Sequence, residues 1–268
     1  MTDWTSGHCA TNGIVLHYTR TGGNKPPVVL LHGLMTNGLC WTELAQVLAS
    51  DYDIIMPDAR GHGQSSAPSQ GYRYEDHAAD IAGLLTALQL PPAFLLGHSM
   101  GGMTAAVVAS RTPALLRGLV LADPTFLSPA TQHEVWESDV VAQHRKMLDL
   151  SLEEVVADAR TRHPNRSALT LELFARARLQ TSLRAFEVLR PPNPDYQQLV
   201  RGIPIPGLLI YGNKGLISTA VAEELYQLNP ALQVQQLPEA GHALHLDQPV
   251  RFAAVVRDFL RSIDSAKP

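Results

Sequence analysis

The sequence is poor in the features that mark several large classes of protein. It has only two cysteines, Cys9 and Cys40, which cannot form the disulfide framework typical of a small secreted domain. The net charge is −4, and no basic stretch carries interleaved aromatic residues. The composition therefore favours neither a nucleic acid nor an anionic membrane as partner. No run of about 18 apolar residues occurs, so we expect no membrane-spanning helix.

The first residues lack both the basic region and the apolar run of a signal peptide. Together with the scarcity of cysteine, this favours a cytoplasmic protein. Aromatic residues make up only 6% of the chain, yet apolar residues reach 45%, which is ordinary for a globular protein. A chain of 268 residues can bury a sizeable core without disulfides or metals. Nothing in the sequence specifies an oligomeric state.

What the sequence does contain is a regular alternation of short apolar runs and helical patterns. A hairpin around Asn12-Gly13 is predicted first. Further strands are predicted at 27–31, 52–56, 94–96, 119–122, 207–211 and 232–237, and helices at about 40–49, 74–90, 218–228 and 250–263. Because several strands are continuously apolar, they are typical of strands buried on both faces. The alternation predicts an α/β fold with a mostly parallel sheet and helices on both faces.

The alternation stops after Asp123 and resumes after about Arg201. The intervening residues show charged helical patterns at 132–150, 152–161 and 168–189, and no strand of the buried type. We interpret residues 125–201 as a helical lid on a core formed by residues 1–124 and 202–268. Its charged residues are interpreted as a solvated face rather than a carboxylate-binding site. They include Arg145, Lys146, Arg160, Arg162 and Arg166.

The most informative motif is Gly97-His98-Ser99-Met100-Gly101, a G-x-S-x-G pattern between a predicted strand and a predicted helix. A serine on such a sharp turn adopts strained backbone angles, and the residues two before and two after it crowd the turn. Glycine is therefore needed at both positions. The turn places the hydroxyl at a helix N-terminus, where amides and the helix dipole favour developing negative charge. Ser99 is the candidate nucleophile.

A serine nucleophile needs a general base, and the base needs an orienting acid. His242 directly follows a glycine in the loop after the last predicted strand, at the sheet edge where Ser99 lies. His245 is the alternative base. Asp123 is the only acid at a suitable strand end, because no carboxylate follows the strand ending at Tyr211 until a helix. The His-x-x-His spacing has no accompanying cysteine or carboxylate cluster, so no metal site is predicted.

The oxyanion of an acyl-transfer reaction needs two N–H donors. We assign them to the amides of Met100, which follows the nucleophile, and Leu34, where Gly33 permits the turn. His32 is interpreted as a support for this loop. Three residues are candidates for the substrate pocket: Gly33, Phe126 and Trp136. No cofactor is predicted, and the partner is a small-molecule substrate.

Four motifs together resemble the α/β-hydrolase superfamily, in family order and over essentially the whole chain. They are His32-Gly33, residues 58–65, residues 97–102 and Gly241-His242. The resemblance implies an α/β-hydrolase fold with an eight-stranded sheet and a helical lid before the last two strands. Much of the superfamily carries its acid after the next-to-last strand, where this chain has Gly215. The chain resembles the smaller set with the acid before the lid, including amide hydrolases of the N-formylmaleamate deformylase type.

Three functions remain open at this level. The first is hydrolysis of a small carboxylic ester, thioester or amide through an acyl-enzyme on Ser99. The second is a cofactor-independent dioxygenase or lyase in which His242 and Asp123 abstract a proton, since dioxygenases of this fold resemble the chain in acid placement. The third is a ligand-binding protein without activity, against which the intact set of three residues argues.

Overall fold

In the part of the chain that the computed structural model describes, residues 4–265, one eight-stranded sheet forms the centre of the molecule. The strands are β1 (Thr5–Thr11), β2 (Ile14–Arg20), β3 (Pro27–Leu31), β4 (Asp53–Pro57), β5 (Ala93–His98), β6 (Leu116–Ala122), β7 (Gly207–Lys214) and β8 (Leu232–Gly241). Their spatial order is β1-β2-β4-β3-β5-β6-β7-β8. The hairpin β1–β2 is antiparallel, and β3 to β8 run parallel to one another. The predicted turn at Asn12-Gly13 is confirmed, with positive φ at both residues.

Helices cover both faces of this sheet. They are α1 (Thr42–Leu48), α2 (Tyr74–Ala87), α3 (Met100–Arg111), α4 (Pro129–Glu137), α5 (Val140–Met147), α6 (Leu152–Arg162), α7 (Ala168–Leu179), α8 (Tyr196–Arg201), α9 (Thr219–Leu228), α10 (Leu244–Asp247) and α11 (Pro249–Ser265). Short 3₁₀ turns occur at Gly38–Trp41, Pro113–Leu115 and Leu183–Leu189. Of the helices in the described region, none has the length and apolar character that a membrane crossing requires.

The core consists of two apolar layers, one on each face of the sheet. Because successive side chains of a strand point to opposite faces, Val29 of β3 packs with α2 and α3, whereas Val28 packs with α1 and α11. Every residue of β3, β4 and β5 is buried, as their continuous apolar runs predict. The predicted α/β architecture, mostly parallel with helices on both faces, is confirmed.

The helices α4 to α8 lie between β6 and β7, and the described structure has no strand there, as predicted. Two predicted helices are wrong in extent. The helix expected at 132–150 is broken at Ser138, whose hydroxyl donates to the Val135 carbonyl (2.7 Å) and ends α4. The helix expected at 168–189 ends at Leu179, and Ser182 then accepts a hydrogen bond from the Arg184 amide (3.2 Å) to begin a 3₁₀ turn.

The short helices α8 and α10 are absent from the predicted elements, because six and four residues are too few to show a period. The ends of the predicted core, residues 1–3 and 266–268, lie outside the described residues.

Candidate active site

Ser99 lies in a tight turn between β5 and α3. Its backbone angles are φ 55° and ψ −120°, a strained conformation for a residue with a side chain. A Cβ atom on Gly97 would lie 2.1 Å from the Gly101 carbonyl oxygen, and one on Gly101 would lie 2.4 Å from the Leu31 carbonyl oxygen. Only glycine fits at these two positions, as the motif predicts. The turn holds Ser99 at the N-terminus of α3 with 8% of its surface exposed.

His242 lies between Ser99 and Asp123 and contacts both. Its Nε2 atom is 2.9 Å from the Ser99 Oγ, and its Nδ1 atom is 2.6 Å from the Asp123 Oδ2. Because a carboxylate only accepts hydrogen bonds, Nδ1 carries a hydrogen and donates a hydrogen bond to Asp123. Nε2 is then free to accept the hydroxyl proton of Ser99. The structure therefore brings together the three residues singled out from the sequence.

Asp123 follows β6 directly and is completely buried. Its carboxylate accepts hydrogen bonds from the amides of Leu216 (2.8 Å) and Ile217 (3.0 Å), in the loop after β7. A Cβ atom on the neighbouring Gly215 would lie 2.6 Å from both carboxylate oxygens of Asp123. The carboxylate of Asp123 thus fills the space that a side chain at position 215 would need. The ends of β6 and β7 therefore lie next to the same space for one carboxylate. In this chain the residue after β6, Asp123, fills that space.

Within residues 4–265, the amides of Leu34 and Met100 donate no hydrogen bond to another protein group. Met100 is the first residue of α3, so its N–H has no partner within the helix. No described residue accepts a hydrogen bond from the Leu34 amide. Gly33 brings this loop close to the serine, since a Cβ atom on Gly33 would lie 3.2 Å from the Ser99 Cβ. His32 fixes the loop, because its Nδ1 donates to the Gly33 carbonyl (2.8 Å).

His98 is part of the site, although the sequence analysis gave it no role. Its Nε2 donates a hydrogen bond to the His242 carbonyl oxygen (2.8 Å) and so fixes the loop that carries the base. Burial lowers the pKa of His98 to about 3, which keeps the ring neutral. Its position at the end of β5, directly before Ser99, was the signal that could have identified it.

His245, the alternative base, is not the histidine bonded to Ser99. Its ring packs between Trp41 and His98, with both ring centroids 4.6 Å away. Burial lowers its pKa well below the ordinary value for histidine. Of these two histidines, it is His242 that lies within hydrogen-bond distance of Ser99.

The chain also resembles known proteins over its whole length. The sequence profile of the family described as alpha/beta hydrolase fold matches residues 26–199, more than half of the chain. The chain belongs to the α/β-hydrolase family.

Relatives in this family include several enzymes. The chain is 31% identical over 260 residues to N-formylmaleamate deformylase of Pseudomonas putida, covering 95% of this chain and 96% of the relative. It is 30% identical over 258 residues to an sn-1-specific diacylglycerol lipase of Mus musculus, covering 88% and 81%. The solved structure of E-2-(acetamidomethylene)succinate hydrolase superposes with a TM-score of 0.83 at 26% identity, covering 96% of this chain and 99% of that one. The protein is a hydrolase of this fold.

The site of this α/β-hydrolase opens into a cavity of about 330 Å³. One side, which we call the sheet-side wall, consists of Gly33, Leu34, His98, Ser99 and His242. A second set of lining residues, which we call the insertion-side wall, comes from the helical segment before β7: His163, Arg166, Phe174 and Arg178. A ligand in the cavity would therefore contact residues from both parts of the chain.

Two residues expected in the pocket do not line this cavity. Phe126 is 4% exposed and stacks on Tyr196, with ring centroids 5.1 Å apart, so it belongs to the apolar core. The Arg190 guanidinium lies over the Trp136 ring, with its Cζ atom 5.3 Å from the centroid of that ring. Both follow β6 closely in sequence, but the cavity is lined from the later part of the segment, around α7.

Five charged residues of the helical segment were predicted to face solvent, and the prediction is wrong for one of them, Arg166. Arg145, Lys146, Arg160 and Arg162 are exposed, as expected. Arg166 is instead partly buried and lines the cavity, together with Arg178, which the sequence analysis did not single out.

Proposed function

We propose that the protein cleaves a small carboxylic ester, thioester or amide through a covalent acyl-enzyme. The observation that carries this proposal is the continuous chain of hydrogen bonds from Asp123 through His242 to Ser99. This is the arrangement of acid, base and nucleophile that acyl transfer requires.

In the proposed mechanism, the Ser99 Oγ attacks the scissile carbonyl while the His242 Nε2 takes the hydroxyl proton. Asp123 holds the imidazole in the required tautomer and stabilises the imidazolium that forms. The amides of Leu34 and Met100 bind the oxyanion of the tetrahedral intermediate. His242 then donates its proton to the leaving group, and a water that it activates hydrolyses the acyl-enzyme and regenerates Ser99.

We propose that residues 125–201 act as a lid on a core of residues 1–124 and 202–268. The presence of Arg166 and Arg178 in the cavity wall supports this role, because residues from this segment would contact the substrate. Amides are as plausible a substrate as esters. The deformylase and the acetamidomethylene-succinate hydrolase are named for amide substrates, and the lipase for an ester.

The test is turnover of 4-nitrophenyl esters, from acetate to hexanoate, by the wild-type protein and by Ser99→Ala. We expect the wild type to hydrolyse the short esters and the variant to lose at least about a thousand-fold in kcat. Ser110→Ala is the matched control, since Ser110 lies on α3 away from the cavity. Full turnover by Ser99→Ala would contradict the proposal and would favour proton abstraction by His242 and Asp123.

A further inference from the structure

The insertion-side wall carries two guanidinium groups into the cavity that holds Ser99. Arg178 lies in the last turn of α7, and Arg166 precedes this helix. Both are partly buried. Among the described residues that line the cavity, no aspartate or glutamate is present. Two permanently charged guanidinium groups therefore line the same cavity as Ser99, and no described carboxylate lines it with them.

Arg178 has no ion-pair partner among residues 4–265. The carboxylate of Asp158 acts on it electrostatically, but Asp158 is bound to Arg162. The Cys40 thiol also lies in the cavity, but burial raises its pKa to about 12, so it is uncharged at neutral pH. Desolvation and the charges of Arg162 and Arg166 lower the pKa of Arg178. A partly desolvated guanidinium without an anion is costly, and an anionic ligand would relieve that cost.

Arg176, two residues earlier on the same helix, shows the contrast. It is exposed, and its guanidinium binds Glu172 at 2.7 Å, one helical turn away. Arg176 thus has the ordinary partner of a surface arginine. Arg178 instead lines the cavity and has no such partner among the described residues.

Arg166 is only weakly paired. Its guanidinium lies 3.5 Å from one oxygen of Asp247, and the other oxygen of Asp247 accepts the Gly241 amide at 2.8 Å. Only one oxygen of Asp247 contacts Arg166, since the other binds the loop that carries His242. The guanidinium therefore has N–H donors left for another anion.

Four histidines of the cavity other than His242 have lowered pKa values and add no positive charge near neutral pH. Burial lowers the pKa of His98 to about 3. It also lowers the pKa values of His32, His163 and His245. In a chain of net charge −4, the cavity wall is therefore a local positive region.

We propose that Arg178 and Arg166 bind a carboxylate of the substrate, so that the enzyme prefers small esters or amides that carry a second, anionic group. Guanidinium groups suit this task, because they bind carboxylates in a fixed, often bidentate geometry. The inference rests on the proposed hydrolase mechanism at Ser99 and names the class of substrate that it takes.

The test compares two esters of similar length, mono-4-nitrophenyl succinate and 4-nitrophenyl butyrate. We expect the wild type to have the higher kcat/KM for the anionic ester. Arg178→Gln should lower the ratio of the two kcat/KM values by about 10- to 100-fold, the effect of losing a charge-assisted hydrogen bond. Arg178→Lys should restore part of the ratio, and Arg176→Gln should leave it unchanged.

A binding measurement separates this inference from the proposed function. Titration calorimetry of Ser99→Ala with succinate should show binding that weakens in Ser99→Ala/Arg178→Gln and persists in Ser99→Ala/Arg176→Gln. If neither ester is hydrolysed but succinate binds in this pattern, the acyl-enzyme proposal fails and the carboxylate site stands. A wild type that prefers the butyrate ester, or a ratio and succinate affinity that do not respond to Arg178→Gln, would overturn the site.

Discussion

The two walls of the cavity are built in different ways. The backbone fixes the reacting groups beside the sheet. Ser99 lies in a tight turn that requires glycine on either side of it, and two backbone amides donate hydrogen bonds to Asp123. The insertion-side wall is formed by side chains on α7 and in the residues just before it, among them Arg178. In the proposed mechanism, the reacting groups thus lie where the backbone of the sheet fixes their geometry, and the proposed carboxylate-binding guanidinium groups lie at the ends of long side chains. Changes to the first wall should affect every substrate, and changes to the second should affect the choice among them.

The largest effect should come from removing the acid of the sheet-side wall. Without Asp123 the His242 ring loses its fixed tautomer, so Asp123→Ala should lower kcat by about 10³- to 10⁴-fold for both neutral and anionic esters. Steady-state kinetics on the two 4-nitrophenyl esters measures this. If the variant instead changed the preference between the two esters and kept its kcat, the expectation that the sheet-side wall affects all substrates equally would be wrong.

The same position offers a test by relocation. Because a side chain at position 215 would occupy the place of the Asp123 carboxylate, Asp123→Ala/Gly215→Asp should recover part of the lost kcat. A double variant as inactive as the single one would show that the amides of the loop after β7 do not accept an acid from that side.

A smaller effect is expected from crowding the acid without removing it. The new methyl group of Gly215→Ala would lie 2.6 Å from both oxygens of Asp123, so the carboxylate must move. A misplacement on this scale should cost about 100-fold in kcat. Gly202→Ala is the control, since its Cβ would approach no atom closer than 3.4 Å. Equal activity of the two variants would show that the acid tolerates displacement.

The smallest effect on turnover at neutral pH should come from a buried histidine behind the sheet-side wall. Burial lowers the pKa of His62 to about 3, from an unfolded value near 6.5. Since the unfolded state binds the proton first as the pH falls, His62 lowers the free energy of unfolding progressively from about pH 6.5 down to pH 3. Urea unfolding across this range should show a shallower pH dependence for His62→Gln than for the wild type. Identical slopes would mean that His62 does not contribute to acid sensitivity.

Much of the sheet and its reacting groups could be predicted because local rules determine them. Continuous apolar runs identify buried strands, and Gly97 and Gly101 around Ser99 identify a turn that excludes other residues. His242 and Asp123 could be found because parallel strands end at one edge of the sheet. The family resemblance explained why Gly215 stands at the position where much of the superfamily carries its acid.

The insertion-side wall could not be predicted in the same way. Whether Arg166 points to solvent or to the cavity depends on how α7 lies against the sheet, and helical periodicity carries no information on that packing. Arg176 and Arg178 look alike in the sequence, yet only the first has a partner one turn away. Phe126 and Trp136 were placed by their proximity to β6 in sequence, which did not correspond to proximity in space.

The attachment of the inserted helices has a consequence for how such enzymes diversify. The segment leaves the sheet after β6 and returns to it at β7, and these strands are direct neighbours, with Leu119 paired to Gly207 and Ala122 to Ile210. Because the two strands are parallel, the segment leaves at the carboxyl end of β6 and crosses back to the start of β7. The sheet fixes both attachment points. A different helical segment could be grafted between them without disturbing a single ladder hydrogen bond. If residues 125–201 act as the proposed lid, exchange of this one contiguous stretch should change which substrates are accepted and leave the sheet intact.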